Sequence, residues 1–100
     1  IARVEADVNQ MRTIATAVKD IDAEAILLMG GIFEAKPALC VMIPQSLVDE
    51  RKWDAGAMIR EAAKEIQGGG GGQKTLATAG GKNVDGIDKA MEILKSKINN

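Results

Sequence analysis

The stretch EIQGGGGGQKTLATAGGK, Glu65 to Lys82, decides how this 100-residue chain is read. Five consecutive glycines, Gly68 to Gly72, lead into Gln73, Lys74 and Thr75, and a second pair, Gly80-Gly81, stands before Lys82. Three readings compete. A P-loop sets its Lys-Ser/Thr pair directly after a glycine, so that the lysine folds back over the phosphates. Here Gln73 intervenes. A P-loop also runs from a strand into a helix, which places phosphate at the positive helix N-terminus. This run leaves a helix and enters an extended segment, so it meets the wrong end of the dipole. A flexible spacer is the second reading, although amphipathic segments close in on both sides. In the third, amides unhindered by side chains form a concave surface for an anion or a close-packed partner. Lys74 and Lys82 beside the glycines favour phosphate.

Working outward, Met58, Ile59, Ala62, Ala63 and Ile66 share one helical face. Asp54 is placed as N-cap and Trp53 as a staple onto Met58. The spacing predicts a helix over 54–67 that stops at Gln67, with Gly68 in the left-handed position of a C-terminal cap. TLATA, residues 75–79, reads as a strand. Asp85 then caps a last helix whose face is Ile87, Ala90, Met91, Leu94 and Ile98.

Toward the N-terminus, AILLMGGIF and ALCVMI flank a turn expected around Glu34 to Pro37. So short a connection makes the two buried strands from Ala25 to Ile43 an antiparallel hairpin. Pro44 to Lys52 reads as a loop. Val8, Met11, Ile14, Ala15 and Val18 predict a helix over 8–19, with Asp7 and Gln10 spaced as a capping box. IARVEAD alternates like the end of a strand. The order is βαββαβα: an α/β fold in which about three helices cover a small mixed β-sheet with a central antiparallel hairpin.

Composition narrows the chemistry. At 46% apolar residues the chain builds one modest core and reads as one globular domain, residues 1–100. It opens on Ile1 rather than Met, as expected of a piece of a longer protein. Histidine is absent, which removes His-based triads and imidazole acid–base catalysis. The single cysteine, Cys40, fits a reducing compartment and reads as a buried strand residue. No apolar run approaches the ~18 residues of a membrane span. Net charge is −1, but residues 1–50 carry −4 and residues 51–100 carry +3, so the glycines lie in the basic half. With only Phe33 and Trp53 aromatic, shape and phosphate recognition suits the chain better than base stacking.

The segment GGGGGQKTLATAGGKNVDGIDKAMEIL, residues 68–94, resembles the closing motif of the DHH-associated domain as found at the C-terminus of alanyl-tRNA synthetases. A glycine run, a short segment, a second glycine cluster and a final helix follow in the same order. The preceding helix and hairpin extend the resemblance over nearly the whole chain, and Gln73 stands where many relatives have arginine. The resemblance implies a C-terminal, non-catalytic module of a cytoplasmic synthetase. That module would contact the elbow of tRNA(Ala) and help aminoacylation and editing share one substrate. Its implied nucleic-acid-binding residues are Gly68, Gly69, Gly70, Gly71, Gly72, Gln73, Lys74, Gly80, Gly81 and Lys82. ATP, Mg and Zn are implied for the parent enzyme and no cofactor for this segment. Homo-oligomerisation would run through an upstream helical segment. Two other functions stay open: the substrate-binding domain of a DHH-type phosphoesterase, and an oligomerisation module without RNA contact.

Overall fold

The computed structural model describes residues 2–3 and 8–99. Five strands form one sheet in the order β1-β2-β3-β5-β4. They are β1 (Ala2–Arg3), β2 (Leu27–Phe33), β3 (Lys36–Met42), β4 (Gly69–Gly72) and β5 (Leu76–Gly80). Strand β1 pairs parallel with β2, and every other pairing is antiparallel. The helices are α1 (Val8–Ile21), α2 (Gln45–Arg51), α3 (Ala55–Ala63) and α4 (Ile87–Asn99). The expected mixed α/β sheet with a central hairpin is present. Asp7 of the expected capping box lies outside the described residues.

Alternation along β3 divides the core. Leu39, Val41 and Ile43 face one side with Leu28, Ala77 and Ala79, and there they pack against α3 and α4 through Ile59, Ala62, Ile87 and Leu94. Ala38, Cys40 and Met42 face the other side and meet Met11 and Ala15 of α1. Each fully buried large side chain contributes about 1.5–3 kcal/mol by leaving water. The predicted faces of the helices around 8–19, 54–67 and 85–98 are the ones that pack inward, although Ile14 stays 39% exposed.

Five local expectations are corrected. The expected loop Pro44 to Lys52 contains α2, with Val48 buried beneath it and Lys52 closing it at φ 59°. The glycine run is a strand, β4, rather than a loop or spacer. The left-handed residue after α3 is Gln67, at φ 52°, reached through a 3₁₀ turn over Lys64–Ile66. Gly68 therefore does not serve as the left-handed cap. The final helix is entered through a 3₁₀ turn, Val84–Gly86, capped by the Asn83 side chain rather than by Asp85. With α2 and β4 included, the order is βαββααββα. Asp54, by contrast, caps α3 as expected, accepting from the Gly56 and Ala57 amides at 2.9 and 3.3 Å.

The fifth correction concerns the hairpin turn, which is tighter than expected. Phe33 pairs with Lys36, leaving only Glu34 and Ala35 between the strands, at φ 52° and 63°. Positive φ at both central residues is the demand of a type I′ turn, which matches strand twist and favours Asn-Gly. A side chain in the left-handed region costs about 1–2 kcal/mol, and glycine gives back part of that relief by loosening the unfolded chain. Ala35→Gly is therefore expected to stabilise the domain by about 0.5 kcal/mol or more. Urea unfolding of the variant checks it, and a lower midpoint would contradict this turn geometry.

Candidate nucleic-acid interface

The two glycine clusters form one ribbon. Gly69 lies opposite Gly80 and Gly72 opposite Ala77, so β4 is the outer strand of a β4–β5 hairpin. An edge strand directs about half of its N–H and C=O groups outward, unpaired by the sheet. In most proteins side chains flank such a row; here four glycines leave it bare.

Several candidate amides are already engaged by the fold. Gly68 N donates to Ala63 O at 3.0 Å, Gly81 N to Pro37 O at 3.1 Å and Gln73 N to Leu76 O at 2.9 Å. Lys82 N and Asn83 N both donate to Ile66 O at 2.8 Å. Asn83 Nδ2 adds a bond to Glu65 O at 3.1 Å. The second glycine cluster thus brings the chain against the C-terminal end of the helical segment and satisfies its last carbonyls. A Cβ at Gly81 would overlap the Ile66 carbonyl oxygen.

The ten candidate residues do not converge on one pocket. Gly71, Gly72 and Gln73 border a cavity of about 280 Å³ together with Arg12, Leu76, Ala77 and Thr78. Gly80 and Gly81 border another, of about 400 Å³, beside Phe33 and Lys36. Lys74, at the tip of the β4–β5 hairpin, lies in a hollow with Lys52, Trp53, Asp49 and Asp54. Lys82 sits past the other end of β5. At ~3.3 Å per strand residue, the length of β5 puts the two lysines on the order of 15–20 Å apart. They can meet one nucleic acid only at separate phosphates.

Arginine 12 escaped the sequence reading. It projects from α1 over β5, and its Nη2 donates to the Thr78 hydroxyl at 3.1 Å. Thr78 is 5% exposed and faces α1, while its neighbours Ala77 and Ala79 face α3. The only sequence signal was position: Arg12 flanks the buried pair Met11 and Ala15 on the helical wheel. Beneath it, burial pushes the Cys40 thiol up to about 11 and the Arg12 guanidinium pulls it partly back. Such a thiol is inert at neutral pH. Trp53 packs against the core cluster that contains Met58, and the Arg51 guanidinium lies 5.5 Å from its ring centroid. Among the described residues no three His, Cys, Asp or Glu side chains lie together as a metal ion would need. No described helix is long and apolar enough to cross a membrane.

A glycine edge strand on a helix-covered mixed sheet, locked by a second glycine cluster, defines a class of small α/β domain. The chain belongs to the DHHA1 domain family, which matches residues 1–100. It is 46% identical over 90 residues to alanine–tRNA ligase of Cytophaga hutchinsonii, covering 90% of this chain and 10% of that protein. Against alanine–tRNA ligase of Chlorobaculum tepidum it is 38% identical over 90 residues, with the same coverage. The chain therefore spans about a tenth of the length of these curated relatives. The crystal structure of the C-Ala domain from Aquifex aeolicus alanyl-tRNA synthetase superposes with a TM-score of 0.79 at 26% identity, covering 95% of this chain and 85% of that one.

Proposed function

We propose that this domain is a non-catalytic tRNA-binding module of an alanine–tRNA ligase. It would contact the outer corner of tRNA(Ala) and help the aminoacylation and editing domains share that substrate in the cytoplasm. The observation that carries the reading is full-length membership of the DHHA1 family together with the C-Ala likeness over 95% of the chain. An edge strand without side chains supports it, because RNA backbone can approach such a strand closely. ATP, Mg and Zn chemistry is placed by this reading outside these residues.

Salt titration of tRNA(Ala) binding tests the reading. Each neutralised phosphate contributes roughly 0.7–0.9 to the slope of log affinity against log salt. The Lys74→Gln, Lys82→Gln double variant is expected to bind more weakly and to flatten that slope by roughly 1.5. An unchanged slope and affinity would move the RNA surface to Arg51, Lys52 and α3. No binding by the unmodified chain would end the tRNA reading itself.

A further inference from the structure

We infer that Arg12 and Arg60 form a two-sided clamp across the bare edge of β4, gripping neighbouring phosphates of an RNA strand that runs along it. The inference rests on the tRNA reading and names the surface that meets the RNA.

Arg12 reaches the edge from α1, on one face of the sheet. A guanidinium carries five N–H donors, and the bond to the Thr78 hydroxyl at 3.1 Å engages one of them. The Thr78 oxygen accepts that bond, so its own proton can be given to a ligand. Among the described residues, Arg12 is the one charged side chain bordering the 280 Å³ cavity that Gly71, Gly72 and Gln73 close. Three further hollows among the described residues each include a carboxylate: Glu34 in one, Asp20 in another along α1 that Arg12 also borders, and Asp49 with Asp54 in the third. Asp20 lies eight residues along α1 from Arg12, about 12 Å by helical rise.

Arg60 reaches the same edge from α3, on the opposite face. Its Nη1 lies 3.7 Å from the point a Cβ on Gly71 would occupy, and 3.5 Å from that point on Gly56. The neighbouring acids have other work. Asp54 caps the helix through Gly56 and Ala57, and Glu61 pairs with Lys97 at 2.6 Å. Two guanidinium groups, rooted on helices that cover opposite faces of the sheet, thus come to one edge strand in which Gly69, Gly70 and Gly72 are exposed. Planar forked donors on either side of bare N–H groups suit phosphate oxygens, which accept from both. Charge at an edge can also serve simply to block sheet-to-sheet pairing. That alternative requires no change in RNA affinity when the charges are removed.

The test compares binding of an unmodified tRNA(Ala) transcript by this chain and by its Arg12→Gln, Arg60→Gln double variant at several salt concentrations. Circular dichroism melts verify the fold. The expected result is affinity reduced roughly tenfold or more and a salt slope flatter by about 1.5. Arg12→Lys with Arg60→Lys should keep the slope, since the charges remain. Should the double variant lose its fold, each single Gln variant carries the same test at about half the slope change. Unchanged slope and affinity in folded variants overturn the clamp while leaving the tRNA reading intact. Failure of the unmodified chain to bind tRNA overturns both.

Discussion

Gly68→Ala is expected to lower the melting temperature by roughly 12 to 24 °C, while Gly69→Ala leaves it nearly unchanged. The two residues are neighbours in the same glycine run, and composition treats them alike. Their surroundings differ. A Cβ on Gly68 would overlap the Gly80 carbonyl oxygen and press on Gly81, whereas one on Gly69 would have nothing within 4 Å. Both obstacles at Gly68 are backbone in the β4–β5 ribbon and its exit, which cannot swing aside like a long side chain. Overpacking of this kind costs about 3 kcal/mol, and a domain of about 100 residues moves by about 4–8 °C per kcal/mol. Gly70→Ala should behave like Gly68→Ala, because its Cβ would overlap the Thr78 carbonyl oxygen. Gly72→Val adds a backbone cost at φ 155°, where an added Cβ would also lie 2.5 Å from Leu76 O. A flexible spacer would tolerate all four substitutions. Equal melting temperatures for Gly68→Ala and Gly69→Ala would refute the edge-strand account of this segment.

Alkaline pH is expected to remove roughly 2–3 kcal/mol of stability through Cys40, from linkage at ~1.36 kcal/mol per pKa unit. The thiol ionises at about 11 in the folded domain against an ordinary 9.0, chiefly because burial disfavours the thiolate. Below pH 9 both folded and unfolded chains hold the proton, and Cys40 contributes no pH dependence. Between about 9 and 11 the unfolded chain releases its proton while the folded domain retains it. The unfolded state then binds fewer protons, so stability falls as pH rises, and the loss is complete above the folded value. Other groups titrate in this range too, so the comparison is with Cys40→Ala, measured by urea unfolding at pH 8 and pH 11. Wild type should lose more than the variant does, by roughly 2–3 kcal/mol. Parallel losses would show that Cys40 is not held protonated by its surroundings.

The predicted helical faces and the hairpin were legible because their signals are local and repetitive. Met58, Ile59, Ala62, Ala63 and Ile66 recur at helical spacing, and the core they form needs only that spacing to be recognised. Asp54 was legible as a cap for the same reason: the bond it makes spans two or three residues. Helix α2 was missed because its seven residues bury only Val48 fully, too little periodicity to separate from a loop. Gln67 takes the left-handed position at which the sequence predicts Gly68. Glycine is the usual occupant of that position, but packing against Gly80 required glycine one residue later.

What the sequence determined by itself was the set of elements with a strong period, the antiparallel hairpin, the absence of imidazole chemistry and the family, through the glycine clusters and the helices around them. The tertiary structure alone decided the state of the glycine run. Glycine has no side chain and so no periodicity, and its conformation follows from what lies beside it. Here β5 supplies hydrogen bonds along one side and α3 packs across it, and four glycines become a strand. It also decided which charges meet there. Arg12 and Arg60 are 48 residues apart in sequence, on helices that cover opposite faces of one sheet. Helical spacing relates residues a turn apart; only the sheet between α1 and α3 brings these two to the same edge.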